Sequence, residues 1–325
     1  GLGVGTPAEA EPSLVGERAS LAFADRLAAL VEERRSQIVL GLDPDPAALW
    51  PGAVEAGATP ASAEDAAQLT AAAVAHHCLA AIDAAGPACV AVKPQLACFE
   101  RLGAMGWAAL EVVVRATHEA GLLLIADGKR GDVPVTARAY AQALVGETPG
   151  PYGPVAGLGA DAFTANPLLG RDALAPLVEA AAGAKAGCFV LVRTSNPGAA
   201  EIQDEPREQP LHERLARLVD ELGRDHLGGA GLSDIGAVTG ATRPDLLERL
   251  RELMPSAIFL LPGVGAQGGS VADLGPAFRP HPAGGLIASS RSIVGAHEER
   301  GGDPAKAAAA AAEELRAAAW AVATA

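Results

Sequence analysis

Residues 122–132 read L-L-L-I-A-D-G-K-R-G-D, a run of apolar residues that ends in closely spaced charges. The apolar part, 122–127, has the length and composition of a strand that is buried on both faces. Four charged residues follow directly: Asp127, Lys129, Arg130 and Asp132. Charged side chains grouped at the end of a buried strand cost folding free energy, so their presence indicates chemistry rather than solubility.

Short apolar runs of this kind recur along the chain, and each is followed by a helical pattern or by a segment long enough to cross back. The predicted strands are 37–42, 88–94, 122–127, 161–165, 187–192, 235–240, 258–262 and 285–290. The predicted helices are 62–85, 104–120, 134–145, 170–182, 208–227, 243–253 and 303–322. Eight such units predict an α/β protein with a closed (β/α)8 TIM barrel.

The predicted domain organisation is simple. Residues 1–20 are predicted to be a flexible N-terminal extension, and 21–325 a single barrel domain with a closing C-terminal helix. The alternative is an open, doubly wound sheet, which usually has a glycine-rich turn after its first strand. No G-x-G-x-x-G follows 37–42, so the sequence favours the barrel.

The composition narrows the class of protein. Half of the 325 residues are hydrophobic, and the net charge is −14. An acidic chain argues against broad nucleic-acid binding, which needs a basic face. No uncharged apolar run reaches the roughly 18 residues of a membrane span, and the N-terminus lacks the pattern of a signal peptide. We therefore expect a cytoplasmic protein that binds a small molecule.

The four cysteines give no sign of a metal or disulfide framework. Cys78, Cys89, Cys98 and Cys188 form no C-x-x-C pair and have no clustered histidines beside them. We expect them to be small buried side chains in a reducing compartment.

Polar residues recur at the carboxyl end of most of the predicted strands, where the loops of such a barrel build its active site. They are Asp43, Lys93, Asp127 with Lys129 and Asp132, Thr194-Ser195-Asn196, the loop 262–269, and Arg291. Each one alone would be an ordinary solvated loop residue. Their joint placement at one rim predicts a functional site. The long connection 195–210, on the same rim, is predicted to be a binding loop or lid.

The loops after the last two predicted strands have the character of a phosphate site. P-G-V-G-A-Q-G-G at 262–269 would let backbone N–H groups approach an anion closely. Arg291 would add a charge-assisted hydrogen bond, and phosphate sites in these barrels commonly follow strands seven and eight. The alternative that the glycines only form tight turns fits the sequence equally well.

The charged run after the third predicted strand favours one kind of catalysis. Asp127 and Lys129 are separated by Gly128, so in an extended chain their side chains point the same way. An ammonium held among carboxylates stays protonated, which suits a proton donor to a developing carbanion. A lysine that forms an imine needs the opposite surroundings. The sequence therefore favours carbanion chemistry.

The motif D-G-K-R-G-D at 127–132 resembles the D-x-K-R-x-D signature of orotidine 5′-phosphate decarboxylase, and the resemblance extends over most of the chain. Further matching motifs occur in the expected order: G-L-D-P at 41–44, V-K-P-Q at 92–95, T-S-N-P-G at 194–198, P-G-V-G-A-Q-G-G at 262–269 and S-R-S at 290–292. The form of the signature, with C-F-E at 98–100, is similar to the longer bacterial, type 2 branch of that family.

The resemblance implies the decarboxylation of orotidine 5′-phosphate to UMP, the last step of UMP synthesis, without a metal or an organic cofactor. It implies that Lys129 protonates C6 of the pyrimidine after CO2 leaves. Asp127 would lie beside the substrate carboxylate, and Lys93 beside Asp127 and the ribose. Asp132 would complete this alternating array of charges and reach into the site of a neighbouring subunit, with Thr136 accompanying it. A homodimer is thus implied.

The resemblance also implies roles in substrate binding. Asp43 would contact the ribose and Ser195 the pyrimidine, while Gln267 and Arg291 would hold the phosphate. Three alternatives remain open: a related Mg²⁺-dependent decarboxylase of a sugar-acid phosphate, an aldolase that uses a lysine imine, and a non-catalytic barrel that binds a nucleotide phosphate.

Overall fold

The eight strands of the barrel lie where the sequence predicts them. In the computed structural model, which describes residues 21–55, 58–241, 243–265 and 269–325, they form one closed sheet. In chain order, β1 to β8 are Ile38–Leu42, Ala91–Pro94, Leu123–Arg130, Ala162–Ala165, Gly187–Arg193, Ser233–Thr239, Ala257–Leu261 and Gly285–Ser289. The prediction of a (β/α)8 barrel is confirmed.

The sheet closes because β1 pairs on both sides. Val39 of β1 lies opposite Ala91 of β2, and Ile38 lies opposite Ile287 of β8, both in parallel register. Each remaining strand pairs in parallel with its neighbours in the chain. The open-sheet alternative is therefore wrong, and all carboxyl ends of the strands lie at one rim.

The seven predicted helices are present, each within a few residues of its predicted ends. The helices, numbered α1 to α12, are Phe23–Arg34, Ala63–Ala85, Leu96–Glu100, Gly103–Glu119, Pro134–Leu144, Arg171–Gly183, Ala199–Gln203, Leu211–Gly223, Pro244–Leu253, Arg291–Val294, Ala296–Arg300 and Pro304–Ala323. Sequence reasoning missed α1, which precedes the first strand, and the short helices. The flexible extension predicted for 1–20 lies outside the described residues, so the domain boundary there stays a prediction.

Helix α1 covers the N-terminal end of the barrel. Phe23 is fully buried and packs edge-on against Phe189 of β5, with ring centroids 5.9 Å apart. A side chain at Gly187 would come within 2.4 Å of the Phe23 ring, so β5 begins with the one residue that leaves room for it. The backbone N–H of Ala24 donates to Oδ1 of Asp234 at 2.7 Å.

The strands bury both faces, as their near-continuous apolar runs predict. One cluster of buried side chains fills the barrel interior and includes Val39, Ile125 and Leu260. A second and larger cluster lies between the strands and the surrounding helices and includes Leu40 and Phe163. Successive residues of a strand point to opposite faces, so neighbours such as Val39 and Leu40 fall in different clusters.

Asp161 and Arg251, which are half-buried and buried respectively, are charged side chains of the N-terminal face. Asp161, just before β4, accepts hydrogen bonds from Arg26 Nη1 at 2.6 Å and from the Leu124 backbone N–H at 2.9 Å, and its Oδ2 lies 2.9 Å from Nε2 of His118. Arg251 of α9 donates to five backbone carbonyls around the start of β7 and stacks on Phe259. Both side chains tie helices and loops to strand ends.

The four cysteines are free; Cys78, Cys89 and Cys188 are buried as predicted, whereas Cys98 is only half-buried. Burial raises the pKa of the Cys89 and Cys188 thiols to about 12. Within the described residues one stretch, Ala63–Ala88, is long and apolar enough by composition to cross a membrane. It contains α2, which packs on the barrel, and a buried core helix passes the same test.

Candidate active site

Strand β3 continues through the charged run to Arg130, beyond its predicted end at Asp127. The chain is not extended throughout, because Lys129 has a φ of 50°, in the left-handed region that is uncommon for residues with a side chain. The Lys129 backbone N–H donates to Oγ1 of Thr164 at 2.9 Å, which stabilises this conformation. A side chain at Gly128 would come within 2.8 Å of Cδ1 of Leu96, so the Leu96 side chain would have to shift to admit one.

Asp127 is the centre of the site, and its contacts are all with side chains at the ends of β2, β3 and β4. Its Oδ1 lies 2.8 Å from Lys129 Nζ and accepts a hydrogen bond from Thr164 Oγ1 at 2.8 Å. Its Oδ2 lies 2.8 Å from Lys93 Nζ and accepts a longer bond, 3.4 Å, from Gln95 Nε2. Asp127 and Lys129 thus meet as predicted, although through a turn rather than through an extended chain.

The electrostatics of this group follow from its burial and its two cations. Burial alone would raise the pKa of the Asp127 carboxyl, because the carboxylate loses contact with water. The ammonium groups of Lys93 and Lys129 outweigh burial and hold the pKa of Asp127 well below its usual range. Asp127 is therefore a carboxylate at neutral pH, fixed between two cationic side chains.

A cavity of about 300 Å³ opens over these ion pairs. The charged residues line one side, and Thr194, Ser195 and Asn196, which follow β5, line it together with apolar residues such as Leu260. The side chain of Asp127 is 7% exposed, whereas that of Lys129 is 41% exposed. The cavity therefore offers a ligand an ammonium as proton donor, a carboxylate behind it, hydroxyl and amide groups, and an apolar wall.

The predicted ribose and phosphate residues lie further around the same rim. Asp43 and Arg291 both line a second cavity of about 360 Å³. It adjoins the first along β8, since Ala288 lines the first cavity and Ser290 the second. Of the predicted site residues, one cavity is therefore lined by Lys93, Asp127, Lys129 and Ser195, and the neighbouring one by Asp43 and Arg291.

The predicted phosphate loop is only partly described. Arg291 and Gly265 line a third cavity, of about 500 Å³. Arg291 begins α10 and is exposed. Gln267 lies outside the described residues, so its predicted contact with the phosphate stays a prediction.

Asp132 and Thr136 lie beside the charged array but outside the cavity over it. Oδ1 of Asp132 accepts a hydrogen bond from the backbone N–H of Val133 at 2.7 Å. Thr136 is exposed on the first turn of α5, next to Val133 and Val135, which are 56% and 78% exposed. The single chain does not join Asp132 to the array around Asp127, so its predicted catalytic role stays a prediction.

Comparison with known proteins identifies the family. The family model described as "Orotidine 5'-phosphate decarboxylase / HUMPS family" matches residues 36–311. The chain belongs to this family. The match runs from the residue that leads into β1 to the middle of α12, so it includes every strand of the barrel.

Several relatives support this membership in the orotidine 5′-phosphate decarboxylase / HUMPS family. The chain is 44% identical over 229 residues to the orotidine 5′-phosphate decarboxylase of Rhodopirellula baltica, which covers 70% of this chain and 75% of that one. It is 38% identical over 271 residues to the enzyme of that name from Deinococcus radiodurans, covering 83% of this chain and 88% of that one. The solved structure of Leishmania donovani OMP decarboxylase matches with a TM-score of 0.68 and 32% identity, covering 94% of this chain and all of that one.

Two members of the site were missed by sequence reasoning. Thr164 joins the Asp127 carboxylate to the Lys129 backbone, and Gln95 reaches the same carboxylate. Both carried a signal, because Thr164 is the polar residue near the end of the predicted strand 161–165, and Gln95 directly follows Lys93-Pro94. Their roles depend on which polar atoms reach the Asp127 carboxylate and the Lys129 backbone, which the order of motifs alone does not give.

Proposed function

We propose that the chain decarboxylates orotidine 5′-phosphate to UMP without a metal or an organic cofactor. The observation that carries this proposal is the Lys93–Asp127–Lys129 group at the floor of a cavity, in a chain that belongs to the orotidine 5′-phosphate decarboxylase / HUMPS family. The bond between C6 of the pyrimidine and the carboxyl carbon breaks, the electron pair remains on C6, and CO2 leaves. Lys129 then transfers a proton to C6.

The geometry supports this assignment of roles. Negative charge develops on a ring carbon that has no electron sink, so a preorganised cation must stabilise it. The ammonium of Lys129 is half-exposed to the cavity and fixed by Asp127, which orients it as the donor. Asp127 stays ionised and would face the substrate carboxylate, while Lys93 holds Asp127 in place.

The remaining residues are proposed to bind the rest of the substrate. Ser195 lines the same cavity as Lys129 and would contact the pyrimidine. Asp43 would bind the ribose in the neighbouring cavity. Arg291, which lines that cavity as well, would hold the phosphate together with Gln267. Binding energy from the phosphate would then contribute to the rate at a distance from the reacting carbon.

We also propose a homodimer in which Asp132 and Thr136 contribute to the site of the partner. The exposed apolar side chains of Val133 and Val135 flank these residues and would be covered by a second copy. With its free cysteines, the enzyme is proposed to work in the cytoplasm.

The experiment that tests the function follows the ultraviolet absorbance of orotidine 5′-phosphate with purified protein in EDTA, beside the variant Lys129→Ala. We expect rapid conversion to UMP that survives chelation and disappears in the variant. Conversion that requires added Mg²⁺ would refute the proposal that the reaction uses no metal. Binding of UMP without any conversion would overturn the enzymatic proposal and leave a nucleotide-binding barrel.

A further inference from the structure

The connection 195–210 does not extend away from the barrel as a separate flap. Its chain forms the short helix α7 and turns back, so that Gln203 and Asp204 return to the end of β5, where the connection began. Both residues are half-buried. Asp204 bonds to Arg193 and Gln203 to Thr194, the two residues that immediately precede the connection. The predicted lid is thus joined, at Gln203 and Asp204, to the residues from which it starts.

Gln203 and Thr194 bond to each other twice. The backbone N–H of Thr194 donates to Oε1 of Gln203 at 2.7 Å, and Nε2 of Gln203 donates to Oγ1 of Thr194 at 2.8 Å. The Thr194 hydroxyl in turn donates to Oδ1 of Asn196 at 2.7 Å. One side-chain amide therefore fixes the main chain and the hydroxyl of Thr194, and through that hydroxyl the side chain of Asn196.

Asp204 ties the same turn to the barrel. Its carboxylate accepts hydrogen bonds from Arg193 at 2.8 Å through Nε and at 3.1 Å through Nη2, and Arg193 is the buried last residue of β5. The Arg193 guanidinium holds the pKa of the Asp204 carboxyl below its usual range. Nδ1 of the buried His212, at the start of α8, lies 3.1 Å from Asp204 and 2.8 Å from the carbonyl of Gln203.

These bonds act on the residues that line the cavity over Lys129. Thr194, Ser195 and Asn196 all border that cavity, and Ser195 lies between the two residues that the Gln203 bonds fix. Gln203 and Asp204 do not themselves line it. Their influence on a bound ligand must therefore pass through Thr194 and its neighbours.

We propose that Gln203, anchored by the Asp204–Arg193 ion pair, is a positioning residue that holds the substrate-facing segment Thr194–Asn196 in its binding geometry. This inference rests on the proposed function, in which that segment contacts the pyrimidine. The base of the 195–210 connection is a fixed clamp, and any closing motion is confined to the part of the connection between Asn196 and Gln203.

The test compares Gln203→Leu with wild type and with the control Gln209→Leu. Leucine keeps the approximate size of glutamine and removes both bonds to Thr194, while Gln209 is an exposed glutamine of the same connection. We expect Gln203→Leu to raise KM for orotidine 5′-phosphate and to weaken UMP binding, each roughly five- to tenfold. The control should match wild type in both. A purely structural role would lower the active fraction, and with it kcat, at unchanged KM.

Two further readouts keep the proposal separate from the proposed function. In a Thr194→Val background, Gln203→Leu should have a smaller effect on KM and on UMP binding than it has alone, because the hydroxyl that Gln203 holds is then missing. Amide hydrogen exchange over 194–198 should become faster in Gln203→Leu and stay unchanged in Gln209→Leu. A wild-type protein without turnover would refute the proposed function. The exchange measurement would still test whether Gln203 holds the segment Thr194–Asn196 in place. Unchanged KM, UMP affinity and exchange in Gln203→Leu would overturn the inference.

Discussion

Two aspartates, one buried and one half-buried, lie at opposite ends of the barrel and have cationic partners, yet we expect one to serve catalysis and the other stability. Asp127 at the carboxyl rim contacts two lysines, and Asp161 at the amino rim contacts an arginine and a histidine. In both cases burial raises the pKa of the carboxyl, but the charges and hydrogen bonds of the partners outweigh burial, so that the pKa ends below its usual range.

The difference lies in which elements the partners come from. The partners of Asp161 belong to α1, α4 and β3, so this carboxylate joins two helices to the sheet. The ionic partners of Asp127 lie on β2 and β3, which the backbone hydrogen bonds of the barrel already hold together. Removing Asp161 should therefore loosen the packing of these helices on the sheet. The ion pairs of Asp127 should add little stability, because the sheet already holds β2 and β3 together. This agrees with the general division of such barrels into a catalytic and a stabilising face.

The largest effect that tests this contrast is on activity at the carboxyl rim. Lys129→Ala should lower kcat by about 10⁴-fold or more, because it removes the proposed proton donor and a stabilising cation together. The free energy of unfolding should change by less than about 1 kcal/mol, because Lys129 is partly exposed and Asp127 keeps Lys93. Steady-state kinetics and urea unfolding measure the two quantities.

The control for that variant is Lys306→Ala, which removes an exposed lysine of α12. It should leave both kcat and the free energy of unfolding near their wild-type values. A Lys129→Ala protein that lost several kcal/mol of stability would break the contrast, because the array would then hold the fold as well.

At the amino rim the expected effect is on stability. Asp161→Asn keeps the shape of the side chain but removes its charge, which leaves the partly buried Arg26 without its carboxylate partner. The free energy of unfolding should fall by about 2–3 kcal/mol, somewhat less than for a fully buried pair. The kcat of the folded protein should remain within about twofold of wild type, since Asp161 is at the end of the barrel opposite Lys129. A large loss of kcat at full stability would show that the two rims are coupled.

The contribution of Asp161 to the free energy of unfolding should depend on pH, and the sign follows from the lowered pKa of Asp161. A carboxyl with a lower pKa in the folded state stabilises the fold above its unfolded pKa of about 3.9 and loses that contribution as pH falls through the folded value. The difference in unfolding free energy between wild type and Asp161→Asn should thus be largest near neutral pH and shrink below about pH 4. Urea unfolding at several pH values measures it, and a difference that grew toward acid pH would contradict the assignment.

The sequence predicts the carboxyl rim far better than the amino rim, and the reason is physical. Lys93, Asp127 and Lys129 end buried strands, where charges have no structural purpose, so their pattern indicates a site before any contact is known. Strand order in a barrel then brings neighbouring ends together without further information. The contact of Asp127 with both lysines is the direct result.

Asp161 gives no comparable signal. It precedes a strand, where a polar residue is ordinary, and its partners Arg26 and His118 are distant in sequence and lie on surface helices. Helix α1, which supplies Arg26, comes before the first strand and has no place in the repeating pattern. In the same way, the two bonds between Gln203 and Thr194 depend on how a long connection folds back, which a sequence pattern of turn residues does not determine.

The smallest effect concerns the histidine of the amino rim. The side chain of His118 is 42% exposed, whereas that of Arg26 is 17% exposed, so water screens the histidine contact with Asp161 more strongly. His118→Gln retains a hydrogen-bond donor and should lower the free energy of unfolding by less than about 1 kcal/mol, against a larger loss for Arg26→Gln. Urea unfolding of the two variants compares them directly. If His118→Gln cost as much as Arg26→Gln, the stabilisation would depend on how many elements Asp161 joins rather than on how deeply each partner is buried.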